Sequence, residues 1–377
     1  HCWFPGLGLS DDRPCLGGSM KIRYYLVCSS LALASAAPAF AQNVSTVDQD
    51  GNSLTAAVAQ SGSGNDSDIT QEGTLLSADV DQSGAGNTST VSQVLPGVNA
   101  AVVVSQAGDG NTADISQTAI GTDNAATAIQ NGTNSFATIN QSLDASSDDA
   151  FIFQQSTADA SFATINQTGN NAAISDNEAL IDQSGGTNND STINQSGVTN
   201  LGENVQFGSD NFSVITQGGD DINDIGVSTV FVDQIGDGNS STVSQGARSP
   251  NQTNITQTGN NNISTAQQSG VPQNAAFNTM DLVQTGDGNN SHIEQQFGNN
   301  SVVSVEQDGN LNTSSLRQLG SNQSIDVLQR AEGASSIIDQ LGGSNTIIVN
   351  QYTDAHSSNV TQSGGNGNSA TVIQGTP

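Results

Sequence analysis

Glutamine recurs at a nearly fixed interval through most of this chain of 377 residues. From Gln49 to Gln374, 28 glutamines mark 27 intervals, of which sixteen are 11 residues long, five are 12, and six run from 13 to 17. At the adjacent pairs Gln154-Gln155 and Gln295-Gln296, the second glutamine is taken as the marker. A period of this size predicts a repeat architecture, in which each unit must stack on its neighbours to bury a core.

The repeated unit reads Q-x-G-x-x-N-x-(small or apolar)-x-(I/V/L)-x-Q, and its closing Gln opens the next unit. The Asn, the small residue, the aliphatic residue and the closing Gln are two residues apart, so they share one face of a strand. The Gly makes the turn, where positive φ is inexpensive for glycine. The residues assigned to this structural ladder are Gln82, Gly84, Asn87, Val91, Gln93, Gln234, Gly236, Asn239, Val243, Gln245, Gln284, Gly286, Asn289, Ile293, Gln340, Gly342, Asn345, Val349 and Gln351.

The parity of the unit predicts an all-β fold, a β-solenoid built from two-strand coils of about 22 residues that stack at about 4.8 Å. Each Gln then lies above a Gln and each Asn above an Asn, so that side-chain amides can form hydrogen-bonded ladders. A helix is disfavoured because the Gly of each unit would cost it about 1 kcal/mol. Disorder of the isolated monomer is the alternative that the polar composition leaves open.

The first 41 residues differ in composition, since they hold all three cysteines and the single Trp. From Met20, a short cationic stretch, an apolar stretch and Ala39-Phe40-Ala41 predict a secretory signal peptide over residues 20–41. An uncleaved N-terminal anchor is the alternative. Residues 1–19 are interpreted as an upstream extension, and residues 42–377 as the mature repeat region of about 27 half-repeats. Without cysteine, that region has no disulfide and is compatible with an oxidising exterior.

Charge and residue types argue against several functions. The chain has 36 acidic and 6 basic residues, a net charge of −30, which opposes binding to nucleic acid or anionic membranes. After residue 41 it has two histidines, His292 and His356, in different repeats, and no cysteine. We therefore predict no enzyme, no cofactor, no metal site and no stable membrane insertion. The Asp-Gly-Asn turns lack the nine-residue period of Ca²⁺-binding β-rolls.

The unit resembles the curlin repeat of the curli subunits, which build bacterial extracellular amyloid fibres, and the resemblance covers residues 42–377. It implies β-arches that stack as a solenoid and polymerise into cross-β fibres. It also implies a structural subunit of the biofilm matrix, secreted through the periplasm to the cell surface. Its implied partners are further copies of itself, a nucleator subunit and an outer-membrane export pore.

The chain departs from the family pattern in places. The Gly-rich segment that usually follows the signal is missing, since the repeats begin at Val44. Leu76 stands where Asn is expected, and the interval from Gln141 to Gln155 lacks the turn Gly. Residues 296–374 are the most regular and are expected to assemble most strongly. Without a capping helix, open strand edges favour polymerisation.

Two further interpretations stay open. The turn residues Asp109, Asp237 and Asp287 are either gatekeepers that slow association or ordinary turn formers. The alternative function is a monomeric secreted β-solenoid adhesin or another surface-binding module, such as an ice-binding rod with an array of outward threonines. That array contains Thr90, Thr138, Thr192 and Thr242, and is interrupted by His292, Ser315 and Asp326.

Overall fold

The computed structural model describes residues 22–25, 42–119, 122–143, 147–155, 158–169, 176–197, 199–218, 227–246, 250–269 and 277–376. Within these ranges the regular elements are 29 β-strands and no helix. Accordingly, no helix of the described ranges is long and apolar enough to cross a membrane. The predicted upstream extension and the predicted signal peptide lie outside the described residues, except for the backbone of strand β1 (Ile22–Tyr25).

Strands β2 to β29 alternate between two parallel sheets. Sheet A contains β2 (Val44–Asn52), β4 (Asp66–Thr74), β6 (Thr88–Val98), β8 (Thr112–Ala119), β10 (Phe136–Leu143), β12 (Phe162–Thr168), β14 (Asp190–Ser196), β16 (Phe212–Gly218), β18 (Ser240–Gln245), β20 (Ile263–Ser269), β22 (Asn290–Gln296), β24 (Thr313–Leu319), β26 (Ser335–Leu341) and β28 (Ser357–Gln362). Sheet B contains β3 (Thr55–Ser63), β5 (Ser77–Ala85), β7 (Ala101–Ala107), β9 (Ala125–Gln130), β11 (Asp149–Gln154), β13 (Glu178–Gly185), β15 (Asn200–Phe207), β17 (Ser228–Ile235), β19 (Asn251–Thr258), β21 (Asn278–Thr285), β23 (Val302–Asp308), β25 (Ser324–Arg330), β27 (Thr346–Gln351) and β29 (Ser369–Gln374).

Each sheet thus contributes one strand to each of 14 layers, since 14 strands of sheet A face 14 of sheet B. Strand β1 adds to the outer edge of β2 in the antiparallel direction, with Ile22 opposite Gln49. The predicted all-β solenoid of stacked two-strand coils is confirmed. At about 4.8 Å per layer the stack is about 65 Å long.

The unequal spacing of the repeats is absorbed between strands and leaves the register intact. Gln71 lies opposite Gln93, 22 residues on, whereas Gln154 lies opposite Gln183, 29 residues on. The longest intervals contain the connections from β12 to β13, β16 to β17 and β20 to β21, which all lead from sheet A to sheet B. The connections from sheet B back to sheet A are shorter, so the two edges of the rod differ.

The inward faces of the two sheets enclose one narrow core. In β6 and the turn before it, Asn87, Ser89, Val91 and Gln93 are each at most 1% exposed, while Thr88 between them is exposed. This alternation confirms the predicted parity of the unit. The aliphatic positions form one continuous cluster along the rod, from Ile69 to Val360, so few hydrophobic residues per layer suffice for a connected core.

The choice of Gln155 and Gln296 as repeat markers is wrong, because neither of them points into the core. Gln154, not Gln155, continues the inward alternation of Ile152, and it pairs with Gln183. Gln155 is exposed and bonds the Ser184 hydroxyl. Likewise Gln295 is the inward residue of β22, and the adjacent Gln296 bonds Glu294. In both places two glutamines are adjacent, and strand parity decides which of them enters the core.

Leu76 departs from the sequence pattern without disturbing the stack. It occupies the buried turn position of its layer, where most units have Asn, and it packs against Leu54 and Ala100 in a small second apolar cluster. Three successive layers of this edge therefore replace the amide column by an apolar one. The replacement leaves no amide of these side chains to satisfy.

Candidate functional site

Two unbroken ladders of glutamine amides run the length of the rod, one in each sheet. In every pair the side-chain Nε2 donates to the Oε1 of the Gln in the next layer, over 2.7–3.2 Å. The predicted ladder residues Gln82, Gln93, Gln234, Gln245, Gln284, Gln340 and Gln351 all take part. Because every bond points from lower to higher residue number, the amides of each column are aligned in one direction.

The second hydrogen of many of these amides joins the two sheets. Gln82 Nε2 donates to the Asp66 carbonyl over 3.0 Å, and Gln234 Nε2 donates to the Phe212 carbonyl over 3.1 Å. Each such amide therefore binds the next layer and the opposite sheet. This double use removes the penalty of several kcal/mol that an unpaired buried amide would carry.

The turn asparagines bond the backbone more than one another. Asn239 Oδ1 accepts the backbone N–H of Asn262 over 3.0 Å, and its Nδ2 donates to the Gly259 carbonyl over 2.8 Å. Asn289 repeats the arrangement with Asn312 and Gly309. The prediction of an amide-to-amide Asn ladder parallel to the Gln ladder is thus corrected. The Asn holds its own turn to the turn of the next layer.

The turn glycines are required by the close approach of neighbouring layers. Gly84, Gly236, Gly286 and Gly342 have φ of +108°, +115°, +106° and +114°, a region that other residues rarely adopt. A Cβ on Gly236 would also lie 2.1 Å from the carbonyl oxygen of Gly259 in the next layer. Conformation and contact both exclude a side chain at Gly236.

The turn aspartates have a structural contact. Asp237 Oδ1 accepts the backbone N–H of Ser209 over 2.7 Å, and Asp287 Oδ1 accepts that of Asn260 over 2.7 Å. Asp109 does the same for Ala85. Charge-assisted bonds to the preceding layer account for Asp at this position. The gatekeeper role remains a hypothesis beside this one.

The remaining predicted ladder residues lie where the pattern places them. Val91, Val243, Ile293 and Val349 are buried in the continuous core. Asn87 and Asn345 are buried in their turns. No ligand-binding centre forms from them, since each residue contacts the equivalent residues of the adjoining layers. The functional element of this architecture is the stack itself and its two ends.

A polar layer in the core was missed by the sequence reasoning. In β15 the inward positions after Asn200 are Gly202 and Asn204. Asn204 lies in the aliphatic column between Ile181 and Val232. Its Nδ2 bonds the Ser191 hydroxyl, whereas no donor of the described residues reaches its fully buried Oδ1. Applying the inward–outward alternation to the sequence N-L-G-E-N-V-Q of β15 would have predicted that Gly202 and Asn204 point inward.

Replacing Asn204 by Val is expected to stabilise the rod. The change removes an unsatisfied buried carbonyl, worth about 1–3 kcal/mol, and continues the aliphatic column. Urea unfolding followed by circular dichroism should show a higher midpoint, and hydrogen exchange should slow in β15. The matched control is Gln252→Val, on the exposed outer face of β19. An unchanged or lower midpoint for Asn204→Val would contradict the assignment of a buried unsatisfied group.

Cations are few on the described surface, and acidic residues are numerous. Arg317 lies between Glu294 at 3.9 Å and Asp339 at 3.7 Å, and Arg330 lies 3.1 Å from Glu306. These exposed pairs contribute little individually. Burial raises the pKa of Asp190 and of Asp233. It also raises the pKa of Asp149, with added repulsion from Glu178 and Asp176, and of Asp326, with added repulsion from Glu306.

The raised pKa values predict that acidification stabilises the rod. When the folded pKa exceeds the unfolded one, the folded chain binds more protons between the two values, and stability falls as pH rises through that window. Urea resistance should therefore increase as the pH falls through the raised pKa values of these carboxyls toward about pH 4, near the ordinary aspartate value. Combined Asp190→Asn and Asp233→Asn should flatten this gradient, and Asp308→Asn at an exposed position should not. If Asp308→Asn flattened the gradient as much as the double variant does, the link between burial and the pH dependence would be refuted.

The described residues offer no catalytic constellation. His292 is exposed on sheet A, and the ring of His356 bonds Thr353 in a turn three layers away. Three layers correspond to about 14 Å. Among the described residues no group of three or more His, Cys, Asp or Glu is placed to hold a metal ion.

The two ends of the rod present matching inward faces. At the far end, the inward residues of β28 are Ser358, Val360 and Gln362, and those of β29 are Ala370, Val372 and Gln374. At the near end, the inward residues of β2 are Ser45, Val47 and Gln49, and those of β3 are Ala56, Val58 and Gln60. The inward triplets are therefore Ser-Val-Gln in sheet A and Ala-Val-Gln in sheet B at both ends.

The amides at the two ends are complementary. Gln362 Nε2 donates one hydrogen to the Thr346 carbonyl, and Gln374 Nε2 donates one to the Ser357 carbonyl. No described acceptor is bonded to the other hydrogen. At the near end, no donor of the described residues bonds Oε1 of Gln49 or Gln60. One end therefore offers donors and the other offers acceptors.

Comparison with known families finds the same unit. Residues 45–73 and 278–309 match the family model of the curlin associated repeat. These stretches correspond to β2 to β4 and to β21 to β23, and they belong to early and late layers of one continuous stack. The predicted resemblance to the curlin repeat is confirmed there. A search of curated proteins finds no match to the chain.

Proposed function

We propose that this chain of curlin repeats is the structural subunit of an extracellular, curli-like amyloid fibre that supports the biofilm matrix and adhesion. The observation that carries the proposal is the match between the two ends of the rod. A second copy added at the far end meets the same inward residues that an internal layer would present. The fibre is then a continuation of the solenoid, with the repeat region as its building unit.

The match applies residue by residue within each sheet. Placing β2 of one copy on β28 of another sets Ser45 on Ser358, Val47 on Val360 and Gln49 on Gln362. The same step in sheet B sets Ala56 on Ala370, Val58 on Val372 and Gln60 on Gln374. Equal side-chain sizes keep the junction free of voids and clashes, which core packing requires.

The aligned amides give the junction a direction. The spare Nε2 hydrogen of Gln362 faces the open Oε1 of Gln49, so the ladder continues from copy to copy. A copy added in reverse would place donor against donor, which leaves buried amides unsatisfied. Growth is therefore head to tail. Strand β1 pairs with the outer edge of β2, and removal of the predicted signal peptide would free that edge.

The first test follows assembly of purified residues 42–377 after release from denaturant. Thioflavin T fluorescence should rise after a lag that preformed seeds abolish, and the product should give a meridional reflection at about 4.7 Å. A chain that folds, stays monomeric and gives no dye signal would refute the fibre function. It would favour the monomeric adhesin.

A matched pair of variants tests the ends. Val372→Asp places a charge in the junction core, and seeded elongation should slow at least tenfold because the charge must be buried without a partner. Thr371→Asp adds the same charge on the exposed face of the same strand and should elongate nearly as the parent does. Equal rates would show that this end does not receive the next copy.

Location and partners extend the same proposal. We propose export through the periplasm to the cell surface, with an outer-membrane pore and a nucleator subunit as partners, on the strength of the curlin repeat. The protein then acts without a catalytic step. Surface labelling of intact cells with an antibody to residues 296–374 tests the location.

A further inference from the structure

The two outer faces of the rod differ in charge. Across β10, β12, β14, β16, β18 and β20 of sheet A, Asp190 is the single acidic residue among the three outward positions of each strand. We name this surface the neutral face. Across the corresponding span of sheet B, from β11 to β21, the outward positions include six acids: Asp149, Glu178, Asp182, Glu203, Asp233 and Asp281.

The neutral face is ordered in columns along the rod. Its central column is Thr138, Thr164, Thr192, Val214, Thr242 and Thr265, in register on successive layers. Val has nearly the shape of Thr, so the column is uniform in size. Asp326, counted above as an interruption of the threonine array, lies on sheet B. The array is longer than the sequence predicted because alternate units belong to opposite faces.

Apolar side chains line one side of the central column. Phe136, Phe162, Phe212 and Ile263 share one outward column with Asp190 and Ser240, and they are 40–48% exposed. The rings of Phe136 and Phe162 are stacked, with centroids 4.9 Å apart. On the other side, the amides of Asn140, Asn166 and Asn194 form a hydrogen-bonded ladder.

We propose that the neutral face is the surface through which two fibres of this chain pair laterally, sheet A against sheet A. This inference rests on the proposed fibre function. The occupant is a second copy because chains of net charge −30 repel one another least through the face with the fewest carboxylates, and the neutral face carries one, Asp190, against six on the corresponding span of sheet B. A two-fold axis along the rod sets the threonine column against its equivalent and the apolar column against the partner's amide column.

The area of the neutral face indicates that single chains pair weakly and fibres pair strongly. Six layers at about 4.8 Å and six residues at about 3.3 Å give a patch of about 29 by about 20 Å. Two copies thus bury about 1,100 Å², near the lower limit of a specific interface. A fibre repeats the patch in every subunit, and linked sites bind far more tightly than single ones. Pairing is therefore weak for single chains and strong for fibres.

Single cysteines test the assignment, because residues 42–377 contain none. Thr192→Cys lies on the neutral face, and Thr256→Cys lies on sheet B, and both threonines are half-buried. In fibres, Thr192→Cys should react with a maleimide at least tenfold more slowly than Thr256→Cys and should be cross-linked by a short bis-maleimide. In monomers both should react similarly. Equal reactivity in fibres would overturn the proposal.

Charge complementation provides the second test. Thr192→Glu should give fibres with normal dye binding and a normal reflection at about 4.7 Å that remain single in electron micrographs. Mixing fibres of Thr192→Glu with fibres of Thr192→Lys should restore pairing, since opposite charges then face each other. Fibres of Thr192→Glu that still pair through the neutral face would overturn the proposal.

The remaining outcomes are distinct. If Thr192→Cys becomes protected only when a neutral polysaccharide is added, the face binds that polymer and lateral self-pairing is overturned. If the parent chain gives no fibres, the proposed function itself fails, and the lateral inference falls with it. Fibres that form but expose both cysteines leave the proposed function standing and remove this inference.

Discussion

Replacing Gln234 by Ala should destabilise the rod by about 3–5 kcal/mol, because several buried groups lose partners at about 1–3 kcal/mol each. Gln234 is fully buried and accepts from Gln206 over 2.9 Å. It donates to Gln257 over 2.8 Å and to the Phe212 carbonyl over 3.1 Å. Ala would remove all three bonds, leave Gln206 Nε2 with its bond to the Asp190 carbonyl alone, and open a cavity, which adds to the loss.

Urea unfolding measures this loss, and hydrogen exchange locates it. Protection should fall most in β15, β17 and β19, which hold Gln206, Gln234 and Gln257. The matched control is Gln252→Ala on the exposed outer face of β19, which should change stability by less than about 0.5 kcal/mol. Similar losses at the two positions would show that the ladder contributes no more than an ordinary surface Gln.

Replacing Gly236 by Ala should destabilise the rod by about 3 kcal/mol. The residue has φ of +115°, and the new Cβ would lie 2.1 Å from the Gly259 carbonyl oxygen. Strained φ alone costs about 1–3 kcal/mol, and the contact forces two layers apart in addition. Unfolding midpoints and the lag of seeded assembly report the effect.

Gly333→Ala separates the two causes. Gly333 has φ of +69°, and a Cβ there would meet nothing within 4 Å. Its substitution therefore carries backbone strain without a clash, and it should cost about 1 kcal/mol. If both variants lost equal stability, the close approach of turns would have no energetic weight, and the glycine column would be explained by conformation alone.

Strand parity made most of the architecture readable from sequence. The alternation of Asn87, Ser89, Val91 and Gln93 predicts one buried face, and stacking identical units follows because one such strand cannot bury itself. Marking the repeats by glutamine alone failed at Gln154-Gln155 and Gln295-Gln296, where two glutamines are adjacent and the alternation from Ile152 or Ile293 identifies the inward one. Amide partners were harder to foresee, since an Asn in a turn reaches backbone groups that no linear pattern displays.

The faces of the rod were beyond a unit-by-unit interpretation. Consecutive units belong to opposite sheets. A difference in charge between the two faces therefore appears only when every second unit is compared, and it is lost when all units are aligned together. Thr242 and Asp326 therefore looked like members of one column, although they lie on different sheets. The signal peptide over residues 20–41 stays a prediction, since its test is the N-terminus of the mature chain.

The layer of Gly202 and Asn204 has a mechanical consequence. Pulled along its axis, the rod is a series of layer interfaces, and a series yields at its weakest member whatever the average strength. Gly202 and Asn204 contribute no aliphatic contact to the adjoining layers in sheet B. The load there falls on the backbone and Gln206 ladders of sheet B and on the Ile193 and Gln195 columns of sheet A. Within one subunit this layer is thus expected to yield first, and regular repeats elsewhere do not raise its strength.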